Sequence, residues 1–184
     1  MGLFDNIGSP APQNVQQSSG NKTVDVVFKK LPDNFAEFTA LPQAAMDDPF
    51  KTAALTVLAL CFYPQDKDTC IQMLNFLKGP QPLSTYEQQF LADRFRDADY
   101  VPRSYFVGAV PANDYKPAQP YTVKVSENPY SYQDSGYAKL YLQSGGADSP
   151  RPIQLRLAKD GKWYLWEQFL LAGIRPPEST NPWA

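Results

Sequence analysis

An α+β protein, with N-terminal helices packed on one face of a C-terminal antiparallel β-sheet of about five strands, is the fold class this sequence predicts. Three observations carry it. From Asp33 to Phe95 apolar residues recur at three- and four-residue spacing behind Asp, Ser and Pro start signals, the helical pattern. After Pro102 the period changes to two, the strand pattern. The tetrapeptide Lys159-Asp160-Gly161-Lys162 then joins two alternating runs as a hairpin, its glycine accepting the positive φ that a tight turn demands.

Taken in order, residues 5–22 are rich in Gly, Pro, Ser, Gln and Asn and offer little to bury, so residues 1–22 are expected to form a flexible leader and 23–184 a single α+β domain. Thr23 to Phe28 alternates as an edge strand. Asp33 to Leu41 reads as a short helix behind an Asp cap, stopped by Pro42. The stretch Asp48–Tyr63 organises the rest. Between Phe50 and Phe62 only Lys51, Thr52 and Thr56 are polar, so a helix here is apolar on nearly every side and must be buried. Asp48 caps it, Pro49 fits its first turn and Pro64 ends it. Its apolar run falls short of the roughly 20 residues that cross a bilayer.

A second helix is expected from Asp66 or Asp68, with Cys70, Ile71, Leu74 and Leu77 as its packing stripe and Gly79-Pro80 as its stop. A third opens at Ser84-Thr85-Tyr86-Glu87, a capping box, and turns Tyr86, Phe90, Leu91 and Phe95 inward. The pairs Asp66 with Asp68 and Asp97 with Asp99 fall at a helix start and a helix exit, where capping explains Asp better than acid-base work. Alternation then predicts strands at Tyr105–Ala109, Tyr121–Val125, Ala138–Leu142, Ile153–Leu157 and around Trp163.

The hairpin register decides which side chains face outward. With Gly161 as the bulge of a three-residue loop, Leu157 faces Trp163 and Leu155 faces Leu165, while Tyr164 and Trp166 join Arg156 on the other side; a two-residue loop reverses this. The first register keeps apolar partners together and leaves the Tyr164 phenol unburied, and is preferred. The outer face then carries Tyr137, Lys139, Tyr141, Arg156, Tyr164 and Trp166, and aromatics interleaved with basic groups can hold flat or anionic ligands. Cross-strand pairing that merely stabilises the sheet, or cover by the terminal segment, is the plainer explanation of them. The loop 144–152 lacks the G-K-[ST] of a phosphate loop, and an Asp148–Arg151 ion pair is its plain explanation.

Composition removes whole classes of chemistry. With no histidine, the chain lacks the commonest general base and the commonest metal ligand. No cofactor or metal is expected. The formal net charge of -2 has the wrong sign for a nucleic-acid partner. The two cysteines, Cys61 and Cys70, fall in no metal-ligand or C-x-x-C pattern and read as reduced core thiols. Met1 to Asn6 lacks the regions of a secretory leader and Asn6 stands where myristoylation needs Ser or Thr, so a cytoplasmic protein is expected, without a membrane span.

The segments GGADSPRPIQLR (145–156), KWYLWEQFLLAGIRPP (162–177) and the closing NPWA resemble an uncharacterised bacterial family, a domain of unknown function, and the resemblance extends from about Asp33 onward. It implies a bacterial, intracellular protein and brings no activity, substrate or catalytic residue. The order of helices and sheet also resembles the cone-shaped nuclear transport factor-like and cystatin-like folds, at the level of fold alone.

The expectation is therefore a noncatalytic binding or protein-interaction module whose binding residues are Arg151, Arg156, Tyr164 and Trp166, with an unknown protein partner or small ligand. Two other readings stand beside it. One is a small enzyme or ligand-binding cone with an aromatic-lined pocket and an Asp or Tyr as acid-base group. The other is a homo-oligomer in which a second copy covers Tyr164 and Trp166.

Overall fold

Residues 21–183 are described by the computed structural model; the expected leader lies outside the described residues except for Asn21 and Lys22. Strand β1 (Thr23–Phe28) is followed by helices α1 (Phe35–Ala40), α2 (Pro49–Cys61), α3 (Lys67–Lys78) and α4 (Thr85–Phe95), and then by β2 (Tyr121–Ser126), β3 (Tyr137–Leu142), β4 (Arg151–Leu157) and β5 (Trp163–Gln168). The five strands form one antiparallel sheet in the order β1-β2-β3-β4-β5, so the two ends of the chain supply its two edges.

Local signals set the helix ends. Asp48 accepts from the Phe50 N–H at 2.7 Å and Pro49 opens α2, as expected. Ser84 and Glu87 close the capping box of α4 reciprocally, at 3.1 and 2.8 Å. Asp66 caps α3, accepting from the Thr69 N–H and hydroxyl. In α1 the cap is Asn34 and not Asp33, because the helix starts one residue later; Asn34 accepts from the Glu37 N–H and Glu37 accepts from the Asp33 N–H.

Helix α2 is buried from Pro49 to Leu60 except at Lys51 and touches every strand. Leu55 and Leu58 are 0 and 1 % exposed, and Leu140 and Leu155 on the sheet are both 0 % exposed. Its two buried hydroxyls are satisfied: Thr52 donates to the Trp163 carbonyl at 2.6 Å and Thr56 to the Thr52 carbonyl at 2.9 Å. The Trp163 N–H donates to the Met46 carbonyl at 2.8 Å, tying the start of β5 to the turn before α2. Phe62 and Trp163 are half-buried and pack against the core from its margin. Among the described residues no helix is long and apolar enough to cross a membrane.

Two expectations about packing are corrected. Residues 105–109 form no strand. Pro102–Tyr105 is a 3-10 turn, the Tyr105 hydroxyl donates to the Leu170 carbonyl, and Gly108 at φ 86° breaks the alternation after one bridge from Phe106 to Val123. The fifth strand is β1. In α4, Tyr86 is 79 % exposed and Phe90 half-buried; only Leu91 and Phe95 are fully inside. The reason is helical: 91 and 95 share one stripe, and 86 and 90 share another about 100° away.

Candidate functional site

The hairpin takes the preferred register. Leu157 pairs with Trp163, Arg156 with Tyr164 and Leu155 with Leu165. Gly161, at φ 81°, completes the three-residue loop, and the Ala158 N–H donates to the Lys162 carbonyl at 2.9 Å. Beyond Leu165 the pairing shifts by one, with Gln154 opposite Glu167, so Trp166 is the extra residue of a β-bulge.

That bulge builds the site. The Arg156 guanidinium lies 4.6 Å from the centroid of the Trp166 ring and 5.4 Å from that of Tyr137, and the two rings meet edge to face at 5.8 Å. A guanidinium over aromatic faces is held flat while its hydrogen-bonding edge remains free. Among the described residues Arg156 has no ion pair.

Tyr164 stands beside this stack, with its functional end committed elsewhere. Its hydroxyl donates to Asp160 at 2.6 Å, which raises the phenol pKa and lowers that of Asp160. Its ring lies on Gly79, so closely that a Cβ there would come within 2.3 Å of it. Arg151 sits at the opposite end of β4, five residues or about 16 Å from Arg156. It forms no ion pair with Asp148, which instead accepts from Arg175 at 2.9 Å. Arg151 donates to the carbonyls of Ala172 (3.0 Å), Gly173 (2.8 Å) and Ser149 (3.0 Å), fastening the strap after β5 to the loop before β4. The structure thus brings Arg156, Trp166 and Tyr164 together and leaves Arg151 apart.

Sequence reasoning missed the two hollows on either side of Trp166. One, of about 400 Å³, lies between α4 and the exit of β5, lined by Phe90 from the helix and Phe169 from the segment after the strand. The other, of about 520 Å³, lies between the hairpin loop and Pro80-Gln81, with Arg156 on its wall. They meet at Lys78, Leu165 and Trp166. The Lys78 side chain is 7 % exposed and donates to Glu87 at 2.9 Å and to the Trp166 carbonyl at 3.2 Å. Burial pushes the Glu87 carboxyl up, but the Ser84 N–H and Lys78 outweigh it and hold its pKa below the ordinary value.

Burial pushes the thiols of Cys61 and Cys70 up to about 12, so both stay protonated at neutral pH. Among the described residues no three acidic or thiol groups gather as for a metal. The buried carboxylate Glu127, 5 % exposed, follows β2 and lines neither hollow. Asp66 is spent as a cap and Asp97 and Asp99 are exposed.

Residues 30–178 match a family described as a domain of unknown function (DUF6935). No curated protein and no solved structure matches the chain.

Proposed function

Because the chain belongs to this family, whose description names no activity, we propose from its own geometry that it is a noncatalytic binding module recognising its partner through the open face around Arg156, Trp166 and Tyr164. One observation carries the reading. A guanidinium is stacked on two aromatic rings, without an ion pair among the described residues and beside a hollow, where Arg and Trp are the residue types that most often dominate binding energy. Arg151 serves as a fastener within the module. The setting in this reading is a bacterial cytoplasm, supported by the resemblance of the C-terminal segments and by the two free thiols.

The test is capture of partners from a native bacterial lysate by the parent and by a variant carrying both Arg156→Ala and Trp166→Ala, with the bound proteins identified by mass spectrometry. The reading expects a cooperative melt in the variant and loss of the proteins specific to the parent. A folded variant that captures the same set overturns it. A variant that unfolds places these side chains in the core and overturns it equally.

A further inference from the structure

Resting on that reading, the cleft between α4 and the exit of β5 points to the chemistry of the partner. Tyr86, Phe90 and Arg94 are spaced four apart and form one row of α4 about 12 Å long that lines the cleft. Tyr86 on one lip is 79 % exposed and Phe169 on the other 46 %, so the cleft presents aromatic surface to water on both sides. Apolar surface gathered in this way marks an interaction site.

Charge narrows the occupant. Arg94 lies over the Phe90 ring at 5.1 Å and has no ion pair among the described residues, although its neighbour Arg96 pairs with Asp93 at 3.1 Å. At the other end stands Trp166, with the equally unpaired Arg156 stacked on it. Arg94 lines this cleft and Arg156 lines the hollow that adjoins it at Trp166, so two guanidinium groups without ion pairs among the described residues flank the run from one hollow into the other. Lys78 adds no net charge, being neutralised by Glu87. Between them Glu167, exposed and without an ion pair among the described residues, disfavours an acid at the middle of any occupant.

We propose that this cleft, together with the hollow that adjoins it at Trp166, is a docking groove for a short peptide segment of a partner protein, in which a bulky apolar residue enters beside Phe90 and Phe169 and carboxylates on either side of it pair with Arg94 and, past Trp166, with Arg156. A span from Tyr164 to Phe169 covers about 17 Å, matching an extended segment of five or six residues. Planar bidentate pairing of guanidinium with carboxylate gives the segment its polarity and register.

The experiment pans a phage-displayed library of random octapeptides against the full chain, then titrates the most enriched sequence as a labelled synthetic peptide. Expected is enrichment of an aromatic residue or leucine flanked on both sides by Asp or Glu. The dissociation constant should rise tenfold or more with Arg94→Glu, less with Arg94→Gln, and not at all with Lys116→Glu, an exposed cation away from the cleft. Equal melts for these variants show that the fold is intact. Enrichment of basic or neutral sequences, no enrichment over an uncoated surface, or a constant unmoved by Arg94→Glu overturns the proposal. If no acidic peptide is enriched while the Arg156 and Trp166 double variant still loses its captured proteins, the groove is wrong and the binding face stands. If capture also survives, both fall.

Discussion

Arg156 and Trp166 are not cross-strand partners, yet the guanidinium of one lies 4.6 Å from the ring centroid of the other. Arg156 pairs with Tyr164, and the bulge that follows brings Trp166 in along the diagonal. A stacked but solvent-facing cation contributes about 0.5–1 kcal/mol. Arg156→Ala should therefore lower the unfolding free energy by less than about 1 kcal/mol in a reversible urea melt. A larger loss would make the stack a structural clamp, leaving little of it for a partner.

Gly79 ends α3 at φ 60° and ψ −118°, a backbone region essentially reserved for glycine, with the Tyr164 ring against it. Gly79→Ala should cost about 1–3 kcal/mol through that backbone, and more through the ring that must move. In a double-mutant cycle with Tyr164→Ala, part of the loss should be recovered. Strict additivity would show that the ring contact is immaterial.

Leu58 is 1 % exposed in the middle of α2. Leu58→Ala should destabilise by about 2–5 kcal/mol. A loss below about 1 kcal/mol would put α2 near the surface, where a helix so apolar has no reason to be.

Glu87 supplies a pH dependence with a definite sign. Its folded-state pKa lies below the ordinary value, so between the two values the unfolded chain holds the additional proton and acidification favours unfolding. The contribution is complete above the unfolded pKa, about 4.3, and is lost as pH falls through the folded value. Parent and Glu87→Gln should differ by about 1 kcal/mol near neutral pH, a figure kept small because the carboxylate is partly exposed. The difference should shrink as the solution is taken below the folded-state value. A constant or growing difference would detach Glu87 from the Lys78 pair.

How much of this was legible in the sequence follows the range of each interaction. Asp48-Pro49, the Ser84 to Glu87 box and the turn at Gly161 act within four residues, and each appears where the sequence places it. The pairing of Leu155 with Leu165 was legible because only one register keeps apolar partners together. The bulge at Trp166 was not, since one extra residue leaves no mark in an alternating run. Tyr105 to Ala109 alternates as a strand does, but the Tyr105 phenol is held by Leu170, 65 residues on. Asp148 and Arg151 are neighbours in sequence, and the carbonyls of the strap at 172–173 decided between them. The α4 cleft draws on Lys78, Arg94 and Phe169, which only tertiary packing assembles.

The central claim is that the face bearing Arg156 and Trp166 meets a partner, and the most direct measurement is photocrosslinking inside bacterial cells. Lys139, exposed on β3 beside this face, is replaced by p-benzoylphenylalanine, and in a separate chain the same is done at Gln72, exposed on α3. After irradiation the account predicts an adduct to a different protein from position 139 and none from position 72. No adduct from 139, equal adducts from both positions, or an adduct of twice the chain's own mass would contradict it, the last by showing that a second copy covers the face.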